Sequence, residues 1–407
     1  MPDYKKIKFC RLCKKSDFIN ILSLGNIALT GVFPKKKEEK VPSGPLDLIQ
    51  CKSCKLVQLE QTYNLNEMYG DNYGYRSGLN MSMVNHLKSN IDYIQRFVDL
   101  NQKDICLDIG SNDGTTLNFL INKDLNLIGI DPSAGKFQSY YDKSINLIID
   151  FFSAINFRKI HKNKNAKLVT SFSMFYDLED PLDFAKNIFS ILDDDGVWFL
   201  EQSYLPSMIQ TNSFDTICQE HLEYYAFEQI EWIAERTGFI IYDVRKNNVN
   251  GGSFQVVLGK KINSNLIQSE NISNLKKEEK NFFLKNPFEL FKKNIEKNKN
   301  ALINLLTKLK NENKKIYGLG ASTKGNVLLQ YYKIDESLIP FIAEVNQSKY
   351  NCFTPKSLIP IISENEILKL KPDYLLVLPW HFKDFFVSCG KYKDIKLIFP
   401  LPIVMIN

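Results

Sequence analysis

The stretch Ile105–Leu117 constrains the fold more than any other part of the chain. An apolar run ends in Asp108, a turn containing Gly110 and Gly114 follows, and a helical pattern comes next. A second apolar run then ends in Asp131. Strand, glycine turn, helix and strand with a terminal carboxylate are typical of a nucleoside-bearing cofactor at the carboxyl ends of a parallel sheet. The second carboxylate is placed to accept ribose hydroxyls.

The turn reads D-x-G-x-x-x-G and therefore differs from the G-x-G-x-x-G of dinucleotide sites. Acids at its edges, Asp108 and Asp113, repel a pyrophosphate but suit a cationic ligand. The turn resembles motif I of the class I S-adenosylmethionine methyltransferases, which implies S-adenosyl-L-methionine as cofactor, with Asn112 in the binding loop and Asp150 near the adenine edge. The alternative is an ordinary strand-to-helix turn without a ligand.

Size and charge limit the range of functions. A chain of 407 residues is expected to form two or three domains, since one core rarely exceeds about 250–300 residues. The net charge of +6 does not demand nucleic acid. No apolar stretch reaches the roughly 18 residues that span a bilayer, and the N-terminus lacks the apolar core of a signal peptide. We therefore expect a cytoplasmic protein without a membrane partner.

Four of the eight cysteines form two CxxC pairs, Cys10 with Cys13 and Cys51 with Cys54. Four thiolates at this spacing can close a tetrahedral Zn²⁺ site. Residues 1–62 have few core residues of their own, so a structural zinc would replace missing hydrophobic stabilisation. The alternatives are coincidence and a redox pair.

The remaining chain divides into four segments. We predict a tyrosine-rich helical connector (63–100), a cofactor domain (101–260), a solvated helical linker (261–313) and a C-terminal α/β domain (314–407). The predicted strands of the cofactor domain are 104–109, 126–131, 146–149, 167–172, 195–201, 238–244 and 253–259, the last of them antiparallel. Those of the C-terminal domain begin in the segment from Lys315 and continue at 339–344, 374–379 and 396–399.

The C-terminal domain opens with a strand, a glycine loop at residues 318–325 and a helix start. The loop amides, together with Ser322 and Lys324, suit a phosphate or diphosphate. The loop is not a Walker A sequence, and it misses the dinucleotide spacing because Gly325 falls too late. A structural glycine turn is the alternative.

A second polar segment, residues 214–225, carries Glu220 and His221 close to the predicted cofactor edge. A histidine in a loop beside an acid is a candidate general base, because a carboxylate neighbour can raise the basicity of the imidazole and orient the ring. The alternative is a loop histidine without a chemical role.

Together these segments resemble the sugar C-methyltransferases that act on nucleotide-linked 4-keto-deoxysugars. The motifs that carry the resemblance are the two CxxC pairs, Tyr75–Gly78 with His86, Asp108–Gly114 with Asp131, Phe214–Ile217 with Glu220 and His221, Asn250–Ser253 and Gly318–Gly325. The resemblance implies a class I Rossmann-like methyltransferase domain between a small zinc-binding domain and a Rossmann-like C-terminal α/β domain.

The resemblance also implies a reaction. His221, with Glu220 beside it, would remove a proton at C3 of the sugar, and Tyr75 would donate a hydrogen bond to the enolate. Tyr75, Arg76, Asn250, Ser322 and Lys324 would bind the nucleotide sugar. We expect a monomer or homodimer that serves deoxysugar or polysaccharide biosynthesis and does not bind nucleic acid.

Two positions depart from the family pattern. Gln219 stands where a histidine is frequent in the catalytic loop, and Asp177 stands where many members have a histidine after the fourth strand. These departures leave methylation at oxygen or nitrogen open. The sequence also leaves open a nucleic-acid-binding protein with a degenerate methyltransferase fold, and a C-terminal module that binds NAD.

Overall fold

The computed structural model describes residues 4–64, 76–260 and 269–407. The N-terminal unit is built from two small antiparallel sheets, of which β2, β3 and β4 form one and β1 and β5 the other. Their bounds are β1 Tyr4–Lys6, β2 Phe18–Ala28, β3 Ser43–Cys51, β4 Val57–Leu59 and β5 Gln61–Tyr63. Cys51 ends β3 and Cys54 follows in the turn before β4, so the second CxxC pair is fixed by a hairpin.

The central unit is a seven-stranded sheet covered by helices. Its elements are α1 Met81–Ile94, β6 Ile105–Ile109, α2 Thr115–Asn118, β7 Asn126–Ile130, β8 Asn146–Ile148, α3 Ala154–Ile160, β9 Ala166–Phe172, α4 Pro181–Ile191, β10 Leu192–Ser203, α5 Leu205–Gln210, β11 Glu223–Tyr224, α6 Phe227–Thr237, β12 Ile240–Asn247 and β13 Ser253–Gly259. The sheet order is β12-β13-β10-β9-β6-β7-β8, and β11 belongs to the N-terminal sheet instead.

All seven predicted strands of this unit are present, and β13 runs antiparallel to both neighbours as predicted. Strands β6 to β10 are parallel to one another, so the carboxyl ends of β6, β7 and β9 meet at one edge. The strands were predictable because each is a short, buried apolar run bounded by turn residues. This edge carries the predicted cofactor loop.

The C-terminal unit is a second sheet with the order β16-β15-β14-β17-β18-β19. Its elements, with the two helices before it, are α7 Glu270–Phe283, α8 Pro287–Asn311, β14 Ile316–Leu319, α9 Thr323–Tyr332, β15 Ile342–Glu344, β16 Ile361–Ser363, α10 Glu364–Lys369, β17 Tyr374–Val377, α11 Lys383–Ser388, β18 Lys396–Phe399 and β19 Met405–Ile406. The sequence did not indicate β16 and β19, which have only three and two residues.

The segment predicted as a solvated linker contains helices with buried faces. In α8 the residues Phe291, Ile295, Leu302 and Leu306 are buried in the same apolar cluster as the C-terminal sheet. Their spacing of four or seven residues places them on one side of the helix, while exposed lysines cover the other side. The many lysines between them lower the mean hydropathy of the segment and hide this pattern. Helix α8 is therefore a layer of the C-terminal unit.

The N-terminal unit shares its core with the C-terminal unit. Leu24, Ile27, Leu46 and Leu48 are buried in a cluster that continues into the C-terminal sheet. Two polar side chains of α9 fix this contact, since Gln330 Oε1 accepts from Ala28 N (2.7 Å) and Asn326 Nδ2 donates to Thr30 O (2.7 Å). The expectation that the zinc unit has few core residues of its own holds only when the unit is viewed alone.

Among the helices of the described ranges, none has both the length and the apolar character required to traverse a lipid bilayer.

Candidate active site and metal centre

The four paired cysteines meet at one point. Their Sγ atoms all lie within 4.8 Å of one another, with Cys10 to Cys54 at 3.6 Å and Cys13 to Cys51 at 3.5 Å. A tetrahedral zinc with Zn–S bonds of about 2.3 Å separates its sulfurs by about 3.8 Å, so the arrangement fits the ion. Gln58 Nε2 donates to Cys10 Sγ (3.1 Å), which supports a thiolate there. With four thiolates the coordination is complete, and the zinc is structural.

The predicted cofactor loop follows β6 with the expected backbone. Gly110 and Gly114 have φ of +73° and +76°, and Asn112 has +51°. A Cβ at Gly114 would lie 2.9 Å from the Tyr141 ring, so this glycine is required by space as well as by conformation. The Asn112 amide donates to Asp131 Oδ2 (2.9 Å), which joins the loop to the acid after β7.

The two acids of this site are buried. Asp108 accepts from Thr170 Oγ1 (2.6 Å), and burial raises its pKa to about 7, with Asp131 adding repulsion. A bound cation would favour the ionised form of Asp108, so the cationic cofactor fits this site. Asp131 also accepts from the Ser133 amide and hydroxyl, both at 2.6 Å. Asp150, two residues beyond β8, is exposed and accepts from Asn156 Nδ2 (2.8 Å).

The segment before α1 lies against the cofactor loop. Ser77 N donates to Asn112 Oδ1 and Gly78 N to Asp113 Oδ2, both at 2.9 Å. Arg76 Nε is 3.6 Å from Asp113 Oδ2, and its guanidinium stacks on Tyr140 at 4.1 Å. Arg76 was predicted to bind the substrate, but in the structure it holds the cofactor loop. Tyr75, predicted as an enolate donor and substrate ligand, lies outside the described residues.

Gly78→Ala is expected to weaken S-adenosylmethionine binding about tenfold. A Cβ at residue 78 would lie 2.6 Å from Asp113 Oδ2, so either the loop or the segment must shift. Displacing a loop that preorganises the ligand weakens binding, and a loss of about 1.4 kcal/mol of binding free energy lowers the affinity tenfold. Calorimetric titration with the cofactor measures the change. Gly135→Ala is the matched control, because its nearest atoms are 3.7 Å away, and equal affinities in both variants would contradict the expectation.

His221 is held through one ring nitrogen, and its other ring nitrogen has no hydrogen-bond partner among the residues that the structure describes. Its Nδ1 donates to the Thr216 carbonyl (2.8 Å), which leaves Nε2 as an acceptor, and its ring meets Tyr176 edge-on at 4.4 Å. Burial lowers the pKa of His221 to about 4, the Thr216 carbonyl opposes this shift, and the charge of Lys324 adds to it. The imidazole is therefore neutral near pH 7 and able to accept a proton.

Glu220 does not have the orienting role that was predicted for it. Thr216, and not Glu220, fixes the ring of His221, and the pKa of His221 is lowered instead of raised. The Glu220 carboxyl bonds the Cys218 thiol, and burial raises its pKa. Its Oε1 also lies 3.2 Å from the Cβ position of Gly31 in the N-terminal unit. A carboxylate that orients His221 was the expectation, and a buried carboxyl with a raised pKa at a domain contact is the finding.

The low pKa of His221 predicts an unusual pH profile for proton removal. The rate is expected to be flat between about pH 6 and 8 and to fall as pH drops through about 4, where Nε2 becomes protonated. An ordinary histidine would lose activity through about 6.5. Short assays after a pH jump measure the profile, and circular dichroism at each pH controls for unfolding. An acidic limb at about 6.5 would contradict the assignment of a desolvated base.

The two departures from the family pattern have structural positions. Gln219 Nε2 donates to the Ile27 carbonyl of β2 (3.0 Å), so this side chain fastens the loop to the zinc unit. Asp177 ends a single-turn helix at 175–177, where the Tyr176 carbonyl accepts from Leu222 N (2.8 Å). Gln219 therefore has a structural contact that holds the loop.

The catalytic loop is part of the zinc unit's sheet. Strand β11 pairs antiparallel with β4, with Glu223 opposite Gln58, and Leu59 N donates to Leu222 O (2.9 Å). Arg11 Nε lies 3.9 Å from the buried Glu223 carboxylate. Since Gln58 also bonds Cys10 Sγ, this one residue joins the metal ligands to the segment that follows His221.

The C-terminal unit closes the other side of the site. Lys324 Nζ donates to the Asn250 carbonyl (2.8 Å), and Trp380 Nε1 donates to Asp215 Oδ2 (2.8 Å). Asn250 has φ of +57° and reaches Lys324 through its backbone, and its binding of the nucleotide sugar stays a prediction. Ser322 caps α9 by accepting from Gly325 N (3.0 Å).

The glycine loop of the C-terminal unit does not present its amides to a phosphate. Glu344 Oε2 accepts from Ala321 N (2.9 Å), Ser322 N donates to Gly320 O (3.0 Å), and Gly325 N is bound by Ser322. The carboxylate of Glu344 thus occupies the place that an anion would take. This contact contradicts the prediction of a phosphate or diphosphate cradle at Ser322 and Lys324.

Two groups near the site were not predicted to have a chemical role. His381 follows β17, and its Nδ1 is buried without a hydrogen-bond partner among the described residues. A histidine at the carboxyl end of a parallel strand was the signal that could have identified it. His86, which was named only as part of the family resemblance, has its Nε2 2.8 Å from both oxygens of the buried Glu201 in β10.

Three sequence profiles match the three units in chain order. Residues 10–69 match a zinc binding domain, residues 84–244 a methyltransferase domain, and residues 248–402 the C-methyltransferase C-terminal domain. The class I methyltransferase fold, the S-adenosylmethionine cofactor and the structural zinc predicted from the sequence are confirmed.

One protein is similar to this chain over its length, and two solved structures are similar to part of it. The chain is 25% identical over 411 residues to the C-methyltransferase NovU of Streptomyces niveus, across 98% of this chain and 96% of that protein. Among solved structures, the cyclopropane synthase MmaA2 of Mycobacterium tuberculosis has 16% identity and a TM-score of 0.35, covering 42% of this chain and 83% of that one. The CcbJ methyltransferase of Streptomyces caelestis has 10% identity and a TM-score of 0.33, covering 43% and 89%.

Proposed function

Because the chain belongs to the S-adenosylmethionine-dependent C-methyltransferases that carry a zinc-binding and a C-terminal domain, we propose that it methylates C3 of a nucleotide-linked 4-keto-deoxysugar. The observation that carries the proposal is the state of His221. The imidazole of His221 is neutral near pH 7, meets the ring of Tyr176 after strand β9 of the cofactor edge, and lies close enough to Lys324 of the C-terminal unit for that charge to lower its pKa.

Carbon methylation needs a carbon nucleophile, and a ketone provides one. The carbonyl at C4 acidifies the hydrogen at C3, and His221 Nε2 accepts that proton. The Thr216 carbonyl holds the ring in the tautomer that leaves Nε2 unprotonated. When bound, S-adenosylmethionine supplies an electrophilic methyl group that the C3 carbon of the enolate accepts.

The chain's own residues can also position the reactants. Asp108, Asn112 and Asp131 would hold the cofactor at the ends of β6 and β7, as the resemblance implies. His221 approaches from the loop that follows β10, and the C-terminal unit closes the cleft through Asn250 and Lys324. Such alignment accounts for much of the acceleration when a leaving group needs no acid assistance.

The test uses a panel of nucleotide-linked 4-keto-deoxysugars in heavy water. With S-adenosylmethionine present, mass spectrometry and proton NMR should show a new methyl on carbon and loss of the C3 hydrogen. Without the cofactor, the wild-type protein should still exchange that hydrogen for deuterium. Methyl transfer with every ring C–H retained would place the methyl on oxygen or nitrogen and overturn the proposal. Activity only on sugars without a ketone would do the same.

A further inference from the structure

Lys324 lies close enough to His221 for its charge to lower the pKa of that histidine. Its Nζ donates to the carbonyl of Asn250, which belongs to the central unit, across the boundary between the two α/β units. Helix α9, which carries Lys324, packs against the single-turn helix Phe214–Thr216. The Thr216 carbonyl at the end of that turn is the group that holds His221. The helix that carries Lys324 and the ring of His221 thus both contact the single-turn helix Phe214–Thr216.

The ammonium of Lys324 is only partly satisfied. A lysine has three N–H donors, and in the described parts of the chain the Asn250 carbonyl is the one acceptor within hydrogen-bond distance of this group. No salt bridge between described residues includes Lys324, whereas the buried Lys349 of the same unit lies 3.8 Å from Glu344. Asp215 is the acid whose charge most affects the pKa of Lys324, and its Oδ2 accepts a hydrogen bond from Trp380 Nε1.

The two histidines that face Lys324 are uncharged near pH 7. Burial, and then the charge of Lys324 itself, lowers the pKa values of both His221 and His381. Burial raises the pKa of Asp215 to about 6 and that of the Cys218 thiol well above its usual range. Burial also lowers the pKa of Lys324, while Asp215 and Cys218 oppose that shift. The Asp215 carboxyl, with a pKa of about 6, is mostly ionised near pH 7, but no salt bridge between described residues joins it to Lys324, whose Nζ donates to the Asn250 carbonyl instead.

We propose that Lys324 stabilises the enolate oxygen formed when His221 removes the substrate proton, an inference that rests on the proposed function. The C–H bonding pair moves into a new C3=C4 bond, the carbonyl π pair moves onto the C4 oxygen, and the proton goes to His221 Nε2. The negative oxygen then receives a hydrogen bond from Lys324 Nζ. A preorganised donor of this kind acts only where charge develops, so it lowers the barrier without tightening ground-state binding.

The rival role for Lys324 is binding of the substrate diphosphate. The adjacent glycine loop argues against it, because its Ala321 amide is bound by Glu344 and a carboxylate there repels a phosphate. The two roles differ in what they stabilise. A diphosphate ligand would contribute equally to the ground state and the transition state, whereas an enolate ligand would contribute to the transition state alone.

The experiment measures cofactor-free exchange of the C3 hydrogen in heavy water, using a ketosugar that the wild-type protein exchanges. Lys324→Met removes the charge at similar volume, Lys324→Arg keeps it, and Lys349→Met is the matched control from the same unit. Zinc content and S-adenosylmethionine affinity verify folding. The affinity for the same nucleoside diphosphate without its sugar reports diphosphate binding in the absence of any reaction.

We expect Lys324→Met to lower the exchange rate constant about 10²–10³-fold with unchanged nucleoside diphosphate affinity, as for loss of one oxyanion donor. Lys324→Arg should recover part of the rate, and Lys349→Met should exchange like wild type. A loss of nucleoside diphosphate affinity with normal exchange at saturation would assign Lys324 to the diphosphate and overturn the inference, as would normal exchange in Lys324→Met. A wild-type protein that exchanges no ketosugar would instead overturn the proposed function, and the inference with it.

Discussion

Replacing His221 by alanine is expected to lower methyl transfer about 10²–10⁴-fold, the usual contribution of a general base. His221 Nε2 is the free imidazole nitrogen in the catalytic loop, and alanine has no group that can replace it. S-adenosylmethionine affinity should stay unchanged, because Asp108 and Asp131 belong to other elements. Single-turnover assays and calorimetric titration measure the two quantities separately.

The control for this substitution is His161→Ala. His161 follows α3 and packs on Phe157, so it tests the loss of a histidine away from the site. It should keep wild-type turnover. A fully active His221→Ala protein would rule out this residue as the base and direct attention to His86, which is paired with Glu201 at the end of β10.

Replacing Cys51 by serine is expected to release zinc and to abolish turnover even though the metal takes no part in the chemistry. Structural zinc sites contribute on the order of 10 kcal/mol of apparent binding free energy, comparable with the total stability of a domain, about 5–15 kcal/mol. Without the metal, β3 and β4 lose their anchor, and β4 is the strand on which β11 pairs. The loop that carries His221 should then lose its order.

Metal analysis and hydrogen exchange check this expectation. The amide of Leu59, which donates to the Leu222 carbonyl across the contact, should exchange faster in Cys51→Ser than in the wild-type protein. Cys389→Ser is the matched control, because Cys389 is an exposed thiol outside the cluster. A Cys51→Ser protein that is stable, metal-free and active would contradict the zinc assignment and its coupling to the loop.

The features that could be predicted from the sequence are those whose signal is local. The zinc ligands, the cofactor loop after β6 and most strands of the two α/β sheets are each specified within a few residues of chain. Asp108 with Gly110, or Cys51 with Cys54, must keep a fixed spacing because the backbone between them makes one turn. Such constraints are visible in a single sequence.

The features that could not be predicted depend on contacts between distant segments. Gln219 was interpreted as a missing helper, because nothing near it in the sequence shows that its amide reaches Ile27. Lys324 was assigned to a phosphate from a glycine-rich neighbourhood, while Glu344, a distant residue, decides that loop's electrostatics. Glu220 beside His221 suggested a carboxylate–imidazole pair, but the chain directs the two side chains to different partners.

The pairing of β11 with β4 has a consequence for building chimeric enzymes from such chains. A recombinant that exchanged residues 76–260 as a module would separate Leu222 from Leu59 and Gln219 from Ile27, and both loop contacts would depend on a foreign surface. A chimera should therefore take two separate segments, the zinc-bearing segment and the catalytic loop, from the same parent protein. The substrate range of an engineered hybrid should follow the zinc-bearing segment and the catalytic loop together. The strands that bind the cofactor can be shared between hybrids.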